Sequence, residues 1–268
     1  MLLFIFQSFC LLVYSTHIFM PLNKTPPNSR AGIASVYIPS RLSIVIFGGY
    51  SDTLFFNDLW NFNITTLIWD EIYTNSESIP SPRAFYGAFS SFVTENLYVY
   101  GGKNPEIIKN DLWEFDFHSL RWTLIPTINT PSASLGFTYT YYIRNFIEYF
   151  AIFGDENTEI IEIYIYILNL STFEWEKQID KNDYFIYSAY GSMIYYKECF
   201  YLTCGIAYDT LILETFKYCL DEQIWIYITR FILLILMKKI IIECFIKDLF
   251  IKSFIIYSQD HIHRISLY

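Results

Sequence analysis

This sequence predicts an all-β fold of short antiparallel strands, grouped in fours and repeated about every 50 residues. Three observations carry the prediction. Trp69, Trp122, Trp175 and Trp225 are spaced by 53, 53 and 50 residues. Twenty residues before each stands a dipeptide that closes an apolar run: Gly48-Gly49, Gly101-Gly102, Gly154-Asp155 and Cys204-Gly205. The chain's ten glycines are these six plus Gly32, Gly87, Gly136 and Gly191, one before each dipeptide, so none is scattered.

The elements of a unit follow in order. In the second unit, strands are expected over 84–93, 96–101, 110–116 and 120–126. "PSPR" leads in, "GGKNP" separates the second strand from the third, and Pro126 ends the fourth. The diglycine is placed at the end of the second strand, where the chain can take a positive φ and a neighbour can approach the backbone. The third and fourth strands form a near-copied stretch, "NDLWNFNITTLIW" at 57–69 and "NDLWEFDFHSLRW" at 110–122. Asp58 and Asp111 are expected to open the third strand and hold a loop by accepting backbone N–H groups. Trp60 and Trp113, nine residues before Trp69 and Trp122, fall on the adjacent strand and are read as packing residues. Short meandering sheets at this period match a β-propeller, with blades over about 30–73, 84–126, 135–179 and 187–229.

Composition narrows the function classes. Aromatic residues make up 21% of the chain, which suits pleated surfaces. Eighteen basic residues face 27 acidic ones, a net charge of −9, and this disfavours nucleic-acid binding. The five cysteines (Cys10, Cys199, Cys204, Cys219, Cys244) form no C-x-x-C and are expected as buried free thiols.

The diglycine after an apolar strand, then "NDLW" with an aromatic two residues on, then tryptophan, resembles the kelch repeat. The best units are Ile44–Tyr73 and Leu97–Pro126. In the third and fourth, Asp155 and Cys204 replace one glycine, and Tyr166 and Phe216 replace the first tryptophan. The resemblance covers roughly 30–229 and implies a propeller, commonly of five to seven blades. Four legible units therefore suggest an incomplete or open ring. Either blades are missing, or residues 1–29 and 230–268 contribute pieces, or the chain assembles with another.

The two ends differ from the repeats. Residues 1–20 are apolar and uncharged, and resemble a secretory signal or membrane anchor. Sequons stand at Asn23, Asn63 and Asn169. The tail 230–268 places Lys239, Glu243 and Lys247 on one helical face, as in a packing or membrane-surface helix, or in a mistranslated segment. Localisation follows from the first segment: secretory or membrane-associated if it acts as a signal or anchor, otherwise cytoplasmic.

No catalytic, metal-binding or cofactor residue is assigned. His17, His118, His261 and His263 do not repeat, and no phosphate loop, nucleophile elbow or HExxH occurs. The expected function is a non-catalytic protein-interaction module, binding another protein through loops 50–58, 74–83, 103–111 and 126–134. Arg83, Lys103 and Glu106 are the exposed candidates. The alternative is a secreted or membrane-tethered enzyme resembling galactose oxidase or a sialic-acid epimerase at the blade level.

Overall fold

The computed structural model of the chain describes residues 26–52, 54–154, 164–182, 189–203, 205–207, 210–211 and 214–228. Blade 1 comprises β1 (Ser35–Ile38), β2 (Ser43–Ser51), β3 (Leu54–Asn63) and β4 (Ile68–Ile72). Blade 2 comprises β5 (Gly87–Ser90), β6 (Leu97–Lys103), β7 (Ile108–Asp116) and β8 (Arg121–Ile125). Blade 3 comprises β9 (Thr138–Arg144), β10 (Ile147–Phe153), β11 (Tyr166–Asn169) and β12 (Glu174–Lys177). Blade 4 begins with β13 (Ser192–Tyr196) and β14 (Cys199–Thr203). A two-stranded ribbon, β15 (Ile206–Ala207) and β16 (Thr210–Leu211), precedes its outer strands β17 (Thr215–Cys219) and β18 (Trp225–Ile228). Every four-stranded sheet is an antiparallel meander in chain order. The first strands neighbour one another, β1 beside β5, β5 beside β9 and β9 beside β13, so they are the inner strands.

Burial follows the two-residue period of each strand. In β6, Leu97 and Val99 face blade 1, whereas Tyr98 and Tyr100 face blade 3. Both faces are thus consumed by neighbours, and three cores fill the three junctions between successive blades. The repeated tryptophan has the same task at each junction. Trp122 lies 5.0 Å from Phe47, Trp175 lies 4.9 Å from Tyr100, and Trp225 lies 5.2 Å from Phe153. Each partner is the residue just before the repeated dipeptide of the preceding blade, Gly48-Gly49, Gly101-Gly102 or Gly154-Asp155. Trp69 has no preceding blade among the described residues; it packs on Phe62 at 5.0 Å and stays half-buried, as does Trp60.

Two expectations need correction. The diglycine does not end the second strand. Gly48 (φ 58°) and Gly101 (φ 65°) sit inside β2 and β6, where the register shifts in a bulge. A Cβ on Gly48 would stand 2.7 Å from the Arg83 carbonyl oxygen, so the bare backbone lets blade 2 approach. The second correction concerns Cys199 and Cys219. They are directly opposite in β14 and β17, with Cα atoms 4.0 Å apart, and form a disulfide rather than free thiols. Twenty residues separate them in sequence, and only the strand register brings them face to face. Non-reducing peptide mapping of oxidised protein is expected to recover the two in one linked species; recovery of both as free thiols would remove the bridge.

Among the described residues no helix is long and apolar enough to cross a membrane. Segments 1–20 and 230–268, with Cys10, Cys204, Cys244, His17, His261 and His263, lie outside the described residues.

Candidate protein-interaction surface

In a meander the connections alternate between two ends. The β2–β3 and β6–β7 loops and the interblade connections 74–83 and 126–134 emerge at one end, the loop end. The hairpin turns emerge at the other, the turn end. Four segments distant in sequence thus share one surface. Backbone pairing fastens it, through isolated bridges of Ala31 with Tyr50 and Ala84 with Lys103. Gly49 N–H donates to the Arg83 carbonyl at 2.8 Å and Arg83 N–H to the Phe56 carbonyl at 3.0 Å, tying blade 1 to blade 2.

Beneath the loops lies a side-chain clamp that occurs twice. Arg83 donates to both oxygens of Asp111, at 2.6 and 2.9 Å, and to the Gly101 carbonyl at 2.9 Å. Arg30 does the same with Asp58, at 2.5 and 2.9 Å, and with the Gly48 carbonyl at 2.9 Å. Each carboxylate also accepts the indole N–H two residues on: Trp60 to Asp58 at 2.6 Å and Trp113 to Asp111 at 2.7 Å. Arg83 is therefore not an exposed loop contact. It is 1% exposed and locks the start of blade 2 to its third strand. Asp58 and Asp111 lie inside β3 and β7, and the donors they hold are guanidinium and indole rather than backbone. Burial opposes ionisation of Asp111, but the Arg83 hydrogen bonds and charge outweigh it and hold the carboxyl below its usual range. In the third unit Ser134 stands at the arginine position and Tyr164 stands 53 residues after Asp111, so that unit lacks the clamp.

Aromatic rings gather where the inner strands begin at this end. Tyr50 packs on Phe55 at 5.6 Å and on Phe85 at 5.3 Å, and Phe85 meets Tyr190 of blade 4 edge-on at 6.3 Å. The residue leading into each inner strand is left-handed: Gly32 (φ 65°), Phe85 (φ 58°), Gly136 (φ 73°) and Tyr190 (φ 56°). Glycine adopts this conformation freely, whereas a ring there is strained. Blades 1 and 3 carry the glycine, and blades 2 and 4 carry the ring. A Cβ on Gly136 would lie 2.9 Å from the Tyr190 ring, so the glycine leaves room for that ring. The Lys103 ammonium lies 5.6 Å from the Phe85 ring centroid, and Glu106 is exposed in the loop beyond. Sequence reasoning passed over Arg30, Phe85 and Tyr190. The signal was the pair "RAG" at 30–32 and "RAF" at 83–85, each arginine 28 residues before its aspartate.

The sequon residues Asn63 and Asn169 both cap hairpin turns. Asn63 Oδ1 accepts from Thr65 and Thr66 N–H at 2.9 Å, Asn169 Oδ1 accepts from Ser171 N–H at 2.8 Å, and Asp116 holds His118 N–H at 2.7 Å in the same turn of blade 2. Among the described residues no three of His, Cys, Asp and Glu are grouped to hold a metal ion.

Residues 9–205 match the family model described as the KLHDC2/KLHL20/DRC7 kelch-repeats domain. The chain belongs to the kelch-repeat family. Kelch domains generally bind proteins. Similar proteins include Mei4-dependent protein 6 of Schizosaccharomyces pombe, 28% identical over 36% of this chain and 15% of its own length. Rho GTPase-activating protein gacHH of Dictyostelium discoideum is 34% identical over 42% of this chain and 8% of its own. Kelch domain-containing protein 10 of Rattus norvegicus is 25% identical over 50% and 34%, respectively. In each case the kelch stretch shared with this chain spans about a third or less of the relative.

Proposed function

We propose that the chain is a non-catalytic interaction module whose loop end receives another protein. The observation that carries this reading is a division of roles there. The Arg30–Asp58 and Arg83–Asp111 pairs, whose arginine side chains are buried, fix the loops from below, while Leu54, Ile79, Glu106 and Ile107 stand exposed upon them. Exposed apolar side chains on loops anchored to a rigid frame suit recognition. The net charge of −9 favours a basic or neutral partner.

The test is affinity capture with the full chain and a Leu54→Asp/Ile107→Asp double variant. The wild type is expected to retain a partner that the variant loses at unchanged thermal stability. Equal capture by both would count against the loop end as the contact. Stoichiometric copper or iron in the purified protein would overturn the non-catalytic reading itself.

A further inference from the structure

The opposite end of the blades carries a feature that the loop end does not use. Inner strands β1 and β5 part at the turn end and leave a cleft of about 520 Å³. Tyr37, Pro39, Phe89, Phe92, Glu95 and Tyr141 line it. Its aromatic wall is stacked: the Phe89 ring lies 5.2 Å from that of Tyr141, nearly parallel.

The rim is apolar and held in place. Phe92 is 75% exposed and Val93 74% exposed, both in the turn between β5 and β6. Nothing about that turn is loosely held. The Glu148 carboxylate accepts Ser91 Oγ at 2.9 Å, Phe92 N–H at 2.6 Å, Val93 N–H at 3.3 Å and the Tyr141 hydroxyl. Ser91 Oγ in turn accepts Val93 and Thr94 N–H at 3.2 and 3.0 Å. The backbone N–H groups of residues 91–96 all have acceptors, which holds the turn from which Phe92 and Val93 project. The next inner hairpin repeats the feature with Phe146, which is fully exposed. Large apolar side chains fixed outward beside an aromatic cleft mark a contact site.

Charge selects the occupant. Glu95 reaches across the mouth to accept the Ser40 hydroxyl, and among the described residues it forms no ion pair with a lysine or arginine. A carboxylate at the mouth disfavours an anionic lipid surface. It also disfavours a second copy docked by the same end, because that would bring Glu95 towards Glu95. A cation beside an apolar anchor satisfies both features of the site.

We propose that the turn end holds a second docking cleft, independent of the loop end. Its ligand is a polypeptide segment that inserts an apolar side chain between Tyr37 and Phe92 and sets a lysine or arginine against Glu95. The probe is a blocked, dye-labelled hexapeptide with a central Leu-Phe pair flanked by lysines, titrated against the full chain by fluorescence anisotropy. Its counterpart carries glutamates in place of the lysines. The lysine peptide is expected to bind, and Phe92→Ser or Glu95→Gln to weaken it about tenfold. Glu95→Lys is expected to reverse the preference towards the glutamate peptide. The loop-end variant Leu54→Asp/Ile107→Asp should bind like the wild type, so failure here is distinct from failure at the loop end. No binding, equal binding of both peptides, or insensitivity to Phe92→Ser and Glu95→Gln would overturn the proposal. Binding of phosphatidylcholine vesicles abolished by Phe92→Ser, or a dimer abolished by the same change, would assign the cleft to another occupant and overturn it equally.

Discussion

Trp122→Ala is expected to lower stability by about 3–5 kcal/mol, the range for deleting a large buried aromatic. Trp122 is buried between blades, 5.0 Å from Phe47 of blade 1 and 5.0 Å from Phe115 of its own sheet. The loss combines the transfer energy of the indole with the cavity left between two sheets whose backbones are tied by other bonds and cannot collapse fully. Trp69→Ala supplies the contrast. Trp69 holds the same place in blade 1, but it is half-buried and faces no preceding blade among the described residues. Its loss is expected to be about half as large or less, because less surface leaves water. A urea series on both variants checks the pair. A change under about 1 kcal/mol for Trp122→Ala would mean that it does not join the blades.

Arg83→Ala is expected to destabilise the chain by about 3 kcal/mol near neutral pH, the lower end for breaking a buried ion pair, since Asp111 keeps some contact with water. The variant strips Asp111 of two charge-assisted bonds and leaves the Gly101 carbonyl without its guanidinium donor. Arg83→Lys should fall between, because an ammonium cannot span both carboxylate oxygens and the carbonyl in one plane. The pH dependence follows from Asp111, whose folded carboxyl is held below its usual range. Its contribution is fully present above the unfolded value of about 3.9 and is lost as pH falls through the lower folded value. The stability gap between wild type and Arg83→Ala should therefore narrow as the pH falls below the unfolded value of about 3.9. Denaturation midpoints at pH 7 and pH 3 test this, and a gap that widens in acid would show that Arg83 does not act through Asp111.

The two variants mark the limit of what one sequence discloses. Trp122 is legible because packing between repeated sheets recurs every blade, so its partner rule repeats at a 53-residue period. Arg83 is misleading because it follows "SIPSP", a loop composition, and a charged residue in a loop reads as exposed. Its burial comes from Asp111, 28 residues on, and only the turn of the chain into a sheet brings the two together. The cysteines fail for the same reason. Cys199 and Cys219 have no signal at a separation of 20, and the hairpin register alone makes them opposite. At the candidate surfaces, Lys103 and Glu106 were named from the sequence between two strands, but of the two only Glu106 stands exposed in that loop, and Lys103 is the half-buried last residue of β6. The axial rings of Phe85 and Tyr190 were not named, since a left-handed residue is recognised from sequence mainly when it is glycine.

By itself the sequence determined the all-β class, the period of the blades, the four strands in each and the packing role of the tryptophans. These are local or periodic properties: alternation along a strand, punctuation by glycine and proline, and the same contact made again one repeat later. Only the tertiary structure decided that Arg30 and Arg83 are buried clamps, that Cys199 meets Cys219, and that the chain offers a loop end and an apolar, acidic turn end. Those depend on which residues the meander sets opposite one another. Burial, pairing and charge are properties of such neighbours, and spacing along the chain does not encode them unless the repeat writes them twice.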